Sequence, residues 1–338
     1  MTPESLTSLE VRLRSRPNGD PVVANFEFAE VDLPSLSPGQ ILVRNTWMSV
    51  DPYMRGRMDD VESYIPPFAL GKPLEGSALG EVIASEAPSF PVGTTVNHFA
   101  GWRTHAVLDA AEVTSVDTAL ASPEDHLGVL GTTGLTAYAS LTEIAPVRAG
   151  DIVFISAAAG AVGSVAGQLA SLLGATRVIG SAGGTEKARR VVEDFGFDAA
   201  IDYKAGSVAE QLAEAAPDGI DVYLDMVGAE HLEAAIGAMR TGGRIALVGA
   251  ISGYNAIDAP KGPSNLYNAI AKRLTLRGMI VTDHLHRFSE YVPKAAAWVA
   301  DGSLRTETTV VNGLENAPEA FLSLFRGANT GKLLVRLH

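Results

Sequence analysis

The chain contains no cysteine among its 338 residues. This absence excludes disulfide bonds, catalytic thiolates and zinc sites built from cysteine. Positive charge is also scarce, because 26 lysines and arginines stand against 39 aspartates and glutamates, which gives a net charge of -13. A field of that sign repels nucleic acids and anionic lipids, so we expect neither as a partner. The lack of cysteine is compatible with the reducing cytoplasm, which we take as the expected location.

Metal-binding and membrane-crossing patterns are scarce too. No two of the seven histidines form an HxxxH pair, so we predict no metal site. One uncharged run, from Ile152 to Thr176, is long enough to cross a bilayer. Because Gly160 and Gly163 interrupt it and its start is rich in β-branched residues, we interpret it as a strand, a glycine turn and a helix. The first twenty residues lack the order of a secretory signal.

Two patterns divide the chain. Up to about residue 125, short apolar-polar segments between turns predict an all-β half. From Asp151, six strands alternate with helices, which predicts an α/β fold with a Rossmann, doubly wound parallel sheet. A helix near 315–326 and a strand at 333–337 have no place in a six-stranded sheet of this kind, so we expect them to pack with the N-terminal β half. We therefore predict two domains, one formed by residues 1–127 and 302–338, and one by residues 128–301.

The turn after the strand DIVFI carries a near-complete dinucleotide fingerprint, in SAAAGAVGSVAGQLA (156–170). Ala158, Gly160 and Gly163 fall at its three glycine positions, which serve a tight turn, close approach to pyrophosphate, and helix–strand packing. Alanine at the first position requires only a slightly wider turn. The fingerprint follows a buried strand and opens a helix, so we predict pyrophosphate binding at the helix start near Ala161.

No acidic residue follows the next strand, RVIG (177–180). An NAD enzyme carries one about twenty residues after the fingerprint, where it binds the ribose 2′-hydroxyl. Lys187, Tyr203 and Ser181 are instead candidates to contact a 2′-phosphate, although Lys187 is also explained as a solvated lysine at a helix start. We therefore predict NADP(H) as the cofactor, with NADPH bound more tightly than NADH.

Seven motifs spread over the whole chain are typical of one protein family: MSVDPYMRGRM (48–58), LEGSALG (74–80), GTTGLTAY (131–138), the fingerprint, DVYLDMVG (221–228), GAISGYN (249–255) and GANTGK (327–332). The chain resembles the zinc-independent branch of the medium-chain dehydrogenase/reductase superfamily. That branch contains prostaglandin reductases, plant alkenal double-bond reductases and bacterial curcumin-reductase-like enzymes. The zinc-dependent branch carries cysteine and histidine ligands where this chain has Asp51 and Leu74.

The resemblance implies a GroES-like β-rich catalytic domain beside the Rossmann domain. It also implies a homodimer joined edge to edge, for which LTLRGMIV (274–281) is the natural edge strand. Beyond Lys187 and Tyr203, the resemblance assigns contacts with the pyrophosphate to one loop, Gly160, Ala161, Val162 and Gly163. It assigns contacts with the nicotinamide half to two segments, Gly249, Ala250, Ile251, Ser252 and Tyr254, and Met279, Ile280 and Val281. It also assigns a cofactor contact to Asn329, the asparagine of an NxGK motif. The chain departs from mammalian relatives at Met226, where they carry asparagine.

Reduction of an activated carbon–carbon double bond requires no metal. Hydride from NADPH adds to the β-carbon of an enone, the carbonyl oxygen takes up charge as an enolate, and the α-carbon is protonated. The protein must donate a hydrogen bond to that oxygen, a task that suits a tyrosine hydroxyl. The resemblance places Tyr254 beside the nicotinamide in this role. We therefore predict an NADPH-dependent reductase of α,β-unsaturated ketones or aldehydes.

Aromatic side chains suit a flat conjugated substrate. Tyr53 and Tyr64 are candidates to wall a substrate cleft between the two domains and Tyr267 to cover it, although ordinary packing also explains them. Arg55 and Arg57 fit either contacts to an acidic substrate or ion pairs with the nearby aspartates 59 and 60. Two other functions stay open, a quinone reductase of the same superfamily and a non-catalytic NADPH-binding protein.

Overall fold

The structure, a computed structural model, describes residues 6–258 and 261–337. His338, the last of the seven histidines, lies outside the described residues. The described chain separates into two compact units. The first, here called the β unit, holds the residues up to Leu127, Thr309–Asn329 and the residues from Leu333. The second, the α/β unit, holds Gly128–Thr308 and Thr330–Lys332. The domain boundaries expected from the sequence, between residues 127 and 128 and between residues 301 and 302, stay a prediction.

Two antiparallel sheets build the β unit. Its strands are β1 (Thr7–Leu13), β2 (Phe26–Asp32), β3 (Gln40–Ser49), β4 (Ala78–Ser85), β5 (Thr95–His98), β6 (His105–Asp109), β7 (Thr114–Ser115), β14 (Thr308–Asn312) and β15 (Lys332–Arg336). Strands β1 and β2 pair with each other, while the other seven form a sheet in the order β14-β15-β3-β4-β5-β7, with β6 also paired to β3. The sheet thus takes in the C-terminal strand, which pairs antiparallel to β3.

The core of the β unit is built around three aromatic rings. Phe26 and Trp102 stack nearly parallel with ring centroids 6.2 Å apart. Phe321, from the C-terminal helix, meets both rings edge-on at 6.1 and 6.2 Å. All three side chains are buried, and each buried aromatic side chain removes a large apolar area from water. The C-terminal helix and strand therefore complete the core of the N-terminal half.

Six parallel strands form the sheet of the α/β unit, as the sequence predicts. They are β8 (Ile152–Ile155), β9 (Arg177–Ala182), β10 (Ala199–Asp202), β11 (Ile220–Asp225), β12 (Met239–Leu247) and β13 (Thr275–Gly278), in the order β10-β9-β8-β11-β12-β13. Phe154 and Tyr223, opposite each other on β8 and β11, stack at 5.0 Å in the sheet centre. Strand β13 is an edge strand, as expected from LTLRGMIV, but it ends at Gly278 because a 3-10 helix begins at Val281.

Ten α-helices lie in the described residues: α1 (Met54–Arg57), α2 (Pro123–Leu127), α3 (Thr132–Ala139), α4 (Ala161–Leu172), α5 (Thr185–Glu193), α6 (Val208–Ala215), α7 (Ala229–Ala238), α8 (Tyr267–Ala271), α9 (Phe288–Ala300) and α10 (Ala317–Phe325). The predicted strand, turn and helix across residues 152–176 are confirmed as β8 and α4. The sequence analysis missed α3, which is buried along nearly its whole length and so shows no polar face, and α9, which contains Pro293. Within the described residues, no helix is long and apolar enough to cross a membrane.

His98, at the end of β5, makes the β unit sensitive to acid. Its Nδ1 accepts a hydrogen bond from the Ala100 N–H, and burial lowers the pKa of His98 from 6.5 to about 3. In the unfolded chain, the His98 imidazole is therefore protonated as the pH falls through 6.5. In the folded chain, it stays neutral until the pH reaches about 3. Stability should fall as the pH drops through this range, by roughly 2 kcal/mol near pH 5. Thermal melts at neutral and acidic pH should show a smaller loss of stability for His98→Gln than for the unaltered chain. An equally small loss in the control His286→Gln, whose side chain is exposed, would contradict this account.

Candidate functional site

The fingerprint turn joins β8 to α4 through four turn residues, 156–159, before Gly160. The Ala158 N–H donates to the Ser181 carbonyl oxygen at 2.8 Å, and the Gly160 N–H donates to the Ala157 carbonyl oxygen at 2.9 Å. Ala157 has a φ of +48°, in the left-handed region that non-glycine residues rarely adopt. The strained residue of the turn is therefore Ala157, one position before the alanine that replaces the first fingerprint glycine.

The N-terminus of α4 has the features of an anion site. Gly160 is the N-cap residue, none of the described side chains caps the helix, and the first turn contains no acidic residue. The N–H of Ser164 makes the first bond within the helix, to Gly160. The preceding N–H groups, from Ala161 to Gly163, thus have no acceptor within the helix, and the helix dipole adds positive potential there. This donor set fits the pyrophosphate of a dinucleotide.

Two glycines let the turn, helix and second strand pack closely. A Cβ on Gly163 would stand 2.4 Å from the Ala157 carbonyl oxygen and 2.8 Å from the Ala158 Cα. A Cβ on Gly180, in β9, would stand 2.7 Å from the Ala158 methyl group. The methyl group of Ala158 therefore occupies space that Gly180 leaves open. This arrangement is how the structure accommodates alanine at the first fingerprint position.

The chain after β9 carries no carboxylate before α5, because it reads Gly183-Gly184-Thr185. Asp202 ends the neighbouring strand β10. Its carboxylate accepts hydrogen bonds from the N–H groups of Gly184 and Lys204, at 2.8 and 3.0 Å, and from the Thr185 hydroxyl. The Asp202 carboxylate therefore stabilises the start of α5, and its hydrogen bonds are made to the protein rather than to a ribose hydroxyl.

The three predicted 2′-phosphate residues lie around the carboxyl ends of β9 and β10 but differ in exposure. Lys187 is half-buried on α5, and its pKa is lowered by burial and by the nearby charges of Lys204 and Arg190. Tyr203 is 42% exposed, whereas Ser181 is fully buried. The Ser181 hydroxyl lies 2.8 Å from Nε2 of His231. The assignment of these residues to a phosphate stays a prediction, and a direct contact by Ser181 would require its hydroxyl to become exposed.

Tyr254 follows a 3-10 turn at the carboxyl end of β12. Its hydroxyl oxygen accepts a 3.4 Å hydrogen bond from the Ala250 N–H and lies close to Gly249. Burial is the main cause that raises the pKa of Tyr254 above its usual 10.0. The phenol is thus protonated at neutral pH and able to donate a hydrogen bond. Nearby, the Ser252 hydroxyl donates to the Val227 carbonyl oxygen at 2.5 Å, which ties this turn to the loop after β11.

The remaining predicted cofactor residues lie in three places. Ile251 belongs to the same 3-10 turn as Ser252. Met279 is buried and its N–H donates to the Leu247 carbonyl oxygen of β12, and it leads through Ile280 into the 3-10 helix that starts at Val281. Asn329 lies in the β unit, while Gly331 of the same motif donates to the Ala159 carbonyl oxygen of the fingerprint turn at 2.8 Å. No feature of the sequence indicated that Gly331 contacts the fingerprint turn.

The β unit contains a pocket of about 630 Å³ beside two of the predicted substrate residues. Its apolar walls include Phe68 and Phe99, and Arg57 and Glu75 also line it. Burial, followed by the charge of Asp51, raises the pKa of the half-buried Tyr53, with smaller effects from Arg57, Tyr64 and Glu75. Two of these neighbours of Tyr53, Arg57 and Glu75, line the pocket. Tyr64 is 58% exposed, and Tyr267, in the α/β unit, is 75% exposed.

The two arginines of the DPYMRGRM motif are buried and form ion pairs with partly exposed carboxylates. Arg55 bonds to Asp59 at 2.8 Å, one of the two partners that the sequence suggested. Arg57 bonds to Glu75 at 2.7 Å and to the Pro66 carbonyl oxygen, so pairing with Asp59 or Asp60 is wrong for this residue. Both arginine side chains are at most 5% exposed, whereas the side chains of Asp59 and Glu75 are 39% and 50% exposed. Glu75 lies eighteen residues from Arg57 in the chain, so only the fold brings them together.

Comparisons with known proteins agree with this architecture. Two family models match, one described as the N-terminal domain of oxidoreductase at residues 10–116 and one as zinc-binding dehydrogenase at residues 161–300. The NADPH-dependent curcumin reductase of Escherichia coli is 38% identical over 96% of this chain and 95% of its own length. The chain belongs to the medium-chain dehydrogenase/reductase family. It lies in the family's enone reductase branch.

Two further similar proteins support the assignment of the chain to the enone reductase branch of this family. The 2-alkenal reductase (NADP(+)-dependent) of Nicotiana tabacum is 36% identical over 98% of both chains. The crystal structure of CurA from Vibrio vulnificus in complex with NADPH matches with a TM-score of 0.93 and 39% identity, and covers 98% of this chain and 99% of CurA. Although one family model is named for zinc binding, this family member has no cysteine, and its described residues contain no group of three or more histidine or acidic side chains suited to a metal.

Proposed function

We propose that this NADP-dependent oxidoreductase reduces the carbon–carbon double bond of α,β-unsaturated ketones or aldehydes. The observation that carries the proposal is the position of Tyr254. Its protonated phenol lies at the carboxyl end of β12, in the same unit as the fingerprint turn at the carboxyl end of β8. In doubly wound sheets, ligands bind along this edge. The names of the curcumin and alkenal reductases that resemble the chain support the same class of reaction.

The chain's own residues would perform three tasks. The N–H groups at the start of α4 hold the pyrophosphate, and Lys187 and Tyr203 hold the 2′-phosphate. When bound, NADPH supplies the hydride, which adds to the β-carbon of the substrate as the double bond opens toward the carbonyl. The Tyr254 hydroxyl donates a hydrogen bond to the carbonyl oxygen as negative charge develops there. A proton then adds to the α-carbon, either from this phenol or from water, which gives the saturated carbonyl compound.

The pocket of the β unit suits the apolar part of such a substrate. Ring faces such as those of Phe68 and Phe99 pack well against flat conjugated groups. We assign Tyr53 to the same substrate surface because Arg57 and Glu75 of the pocket act on it, and Tyr64 because it interacts with Tyr53. The assignment of Tyr267, in the α/β unit, to the substrate stays a prediction.

Product analysis after incubation with NADPH and a simple enone such as 3-nonen-2-one tests the proposal. We expect the saturated ketone, formed with consumption of one NADPH for each double bond reduced. If a benzoquinone is reduced and the enone is not, the chain is a quinone reductase. If NADPH binds but neither compound is reduced, the chain is a non-catalytic NADPH-binding protein. Both of these outcomes would overturn the proposal.

Lys187 should set the preference for NADPH over NADH. Charge-assisted contacts contribute about 1.5–3 kcal/mol, so Lys187→Ala should raise the Kd for NADP⁺ roughly 10–100-fold. The Kd for NAD⁺, which has no 2′-phosphate, should change by less than about twofold. Isothermal titration calorimetry measures both values, and Lys272→Ala serves as the control because that lysine bonds the distant Gly237 carbonyl oxygen. Equal weakening of NADP⁺ and NAD⁺ binding would show that Lys187 does not contact the 2′-phosphate.

We also propose that two copies of the chain pair through β13. This edge strand is bonded to β12 on one side, and three of its four residues are exposed. Pairing with a second copy would satisfy the open row of backbone groups. Sedimentation equilibrium should then give twice the chain mass of 35.4 kDa.

A further inference from the structure

His231 is a buried titratable residue to which the proposed reaction assigns no task. It lies in the first turn of α7, directly after β11, and is 5% exposed. Its Nε2 lies 2.8 Å from the hydroxyl oxygen of Ser181, which stands fifty residues earlier in β9. Strand β8 separates β9 from β11 in the sheet. The hydrogen bond therefore links the carboxyl ends of two strands that are not neighbours.

The same imidazole ring supports Tyr203. The two ring centroids are 5.4 Å apart and the ring planes meet at 75°, an edge-to-face contact. On its other side, the Tyr203 hydroxyl lies over Gly183, where an added Cβ would stand 2.5 Å from it. Edge-to-face contacts contribute about 0.5–1.5 kcal/mol, enough to favour one position of a partly exposed ring. His231 and Gly183 together fix where the phenol of Tyr203 lies.

Positive charge converges on the same point. The Cε of Lys204 lies 3.1 Å from the position that a Gly183 Cβ would take, beside the Tyr203 hydroxyl. The nearby Lys187 experiences the charge of Lys204, which is one of the causes that lower its pKa. As described above, the carboxylate of Asp202 is committed to the Gly184 and Lys204 N–H groups and the Thr185 hydroxyl. The phenol of Tyr203 and the Lys204 side chain thus lie against Gly183, and Lys187 is near enough to experience the charge of Lys204, a combination suited to a phosphate.

The interior of this arrangement is polar and internally satisfied. A buried hydroxyl or imidazole is costly without a hydrogen bond, and Ser181 and His231 satisfy each other. Because burial lowers the pKa of His231, the ring is neutral at neutral pH and contributes no charge of its own. Ser181 is fully buried, so its hydroxyl influences the exposed Tyr203 only through its hydrogen bond to His231.

We infer that His231 is a positioning residue for recognition of the 2′-phosphate of NADPH. It anchors Ser181 at the end of β9 and holds the ring of Tyr203, so that the phenol lies where Lys187 and Lys204 supply positive charge. His231 itself does not touch the phosphate. This inference rests on the proposed use of NADPH, and it adds a residue from the loop after β11 to a site that otherwise comes from β9, β10 and α5.

Titration calorimetry of His231→Ala with NADP⁺, NAD⁺ and 2′,5′-ADP tests the inference. Loss of one hydrogen bond and one ring contact should raise the Kd for NADP⁺ and 2′,5′-ADP about tenfold. The Kd for NAD⁺ should change by less than about twofold. In assays with the enone, KM for NADPH should rise while kcat at saturating NADPH stays the same. The exposed His286→Ala is the control and should leave all three Kd values unchanged.

Two further variants separate the hydrogen bond from the ring contact and remain informative if His231→Ala does not fold. His231→Phe keeps a ring against Tyr203 but leaves the buried Ser181 hydroxyl without its partner. In the double variant Ser181→Ala/His231→Phe the unsatisfied hydroxyl is removed as well. We expect the double variant to recover NADP⁺ affinity to within about threefold of the original chain, because the ring contact is restored at no polar cost.

The preference of the unaltered chain separates failure of this inference from failure of the proposed function. If the unaltered chain binds NAD⁺ as tightly as NADP⁺, the proposed use of NADPH is wrong. If it prefers NADP⁺ and His231→Ala keeps the same preference, only the role of His231 is overturned. Equal weakening of NADP⁺ and NAD⁺ would likewise reduce His231 to a structural residue. A selective loss of NADP⁺ and 2′,5′-ADP binding supports the inference.

Discussion

Replacing Tyr254 with phenylalanine should lower kcat for enone reduction by roughly 100-fold. Removing one hydrogen-bond donor from a developing oxyanion typically costs a factor of about 10²–10³ in kcat. The ring stays in place, and within the described part of the chain the phenol oxygen accepts one hydrogen bond, a long one from the Ala250 N–H. The Kd for NADPH should therefore change by less than about twofold. Steady-state kinetics and fluorescence titration measure the two effects separately.

A matched control for Tyr254→Phe is Tyr138→Phe. The Tyr138 hydroxyl bonds to Glu290 and Lys294, so its removal alters a surface network and not the carboxyl edge of the sheet. Because burial raises the pKa of Tyr254 above 10.0, kcat of the unaltered chain should also show no loss from phenol ionisation below that pH. Unchanged enone turnover in Tyr254→Phe would remove this residue from the mechanism.

Adding one methyl group at Gly163 should both destabilise the α/β unit and weaken NADPH binding. The new Cβ would overlap the backbone of Ala157 and Ala158, and no rotamer change can relieve that overlap. Overpacking of this kind costs about 1–3 kcal/mol, which outweighs the gain of up to about 1 kcal/mol from the higher helix propensity of alanine. We expect Gly163→Ala to lower the free energy of unfolding by about 2 kcal/mol, measured by urea denaturation.

Gly160→Ala provides the contrasting variant. Its Cβ would meet only the Ala157 carbonyl oxygen, at 3.1 Å, and the backbone φ of −85° suits alanine. This variant should fold with nearly unchanged stability and still bind NADPH at least about tenfold more weakly, because the methyl group obstructs the approach of pyrophosphate to the backbone. If both variants kept full NADPH affinity, the fingerprint turn would not be the pyrophosphate site.

Local signals in the sequence were enough to predict the architecture of the α/β unit. The β-branched start of the run 152–176, its glycines and its small-residue helix determine a strand, a turn and a helix through short-range sterics. The same kind of signal places two glycines, and no acid, after β9. These features depend on neighbours within a few residues, which is why they can be read before the fold is known.

Contacts between distant residues had no such signal. The partner of Arg57 proved to be Glu75 rather than a neighbouring aspartate, because burial under Phe68 and the Pro66 carbonyl oxygen directs the guanidinium group inward. The bond between Ser181 and His231 could not be predicted either. Neither residue type is unusual, and no spacing in the sequence relates β9 to the start of α7. The helix α3 was missed because burial on all sides erases the polar face that marks a helix.

By itself, the sequence determined the parallel doubly wound sheet, the absence of a cysteine-based zinc site and the likeness to NADPH-dependent reductases, because composition and short-range backbone preferences are properties of the chain. Only the tertiary structure decided which side chains meet at the carboxyl edge of that sheet. The strand order β10-β9-β8-β11 places the ends of β9 and β10 side by side, and the start of α7 after β11 reaches past β8, so Tyr203, Ser181 and His231 become neighbours. That order is fixed by the packing of helices across both sheet faces, a long-range balance of burial that no single segment of sequence contains.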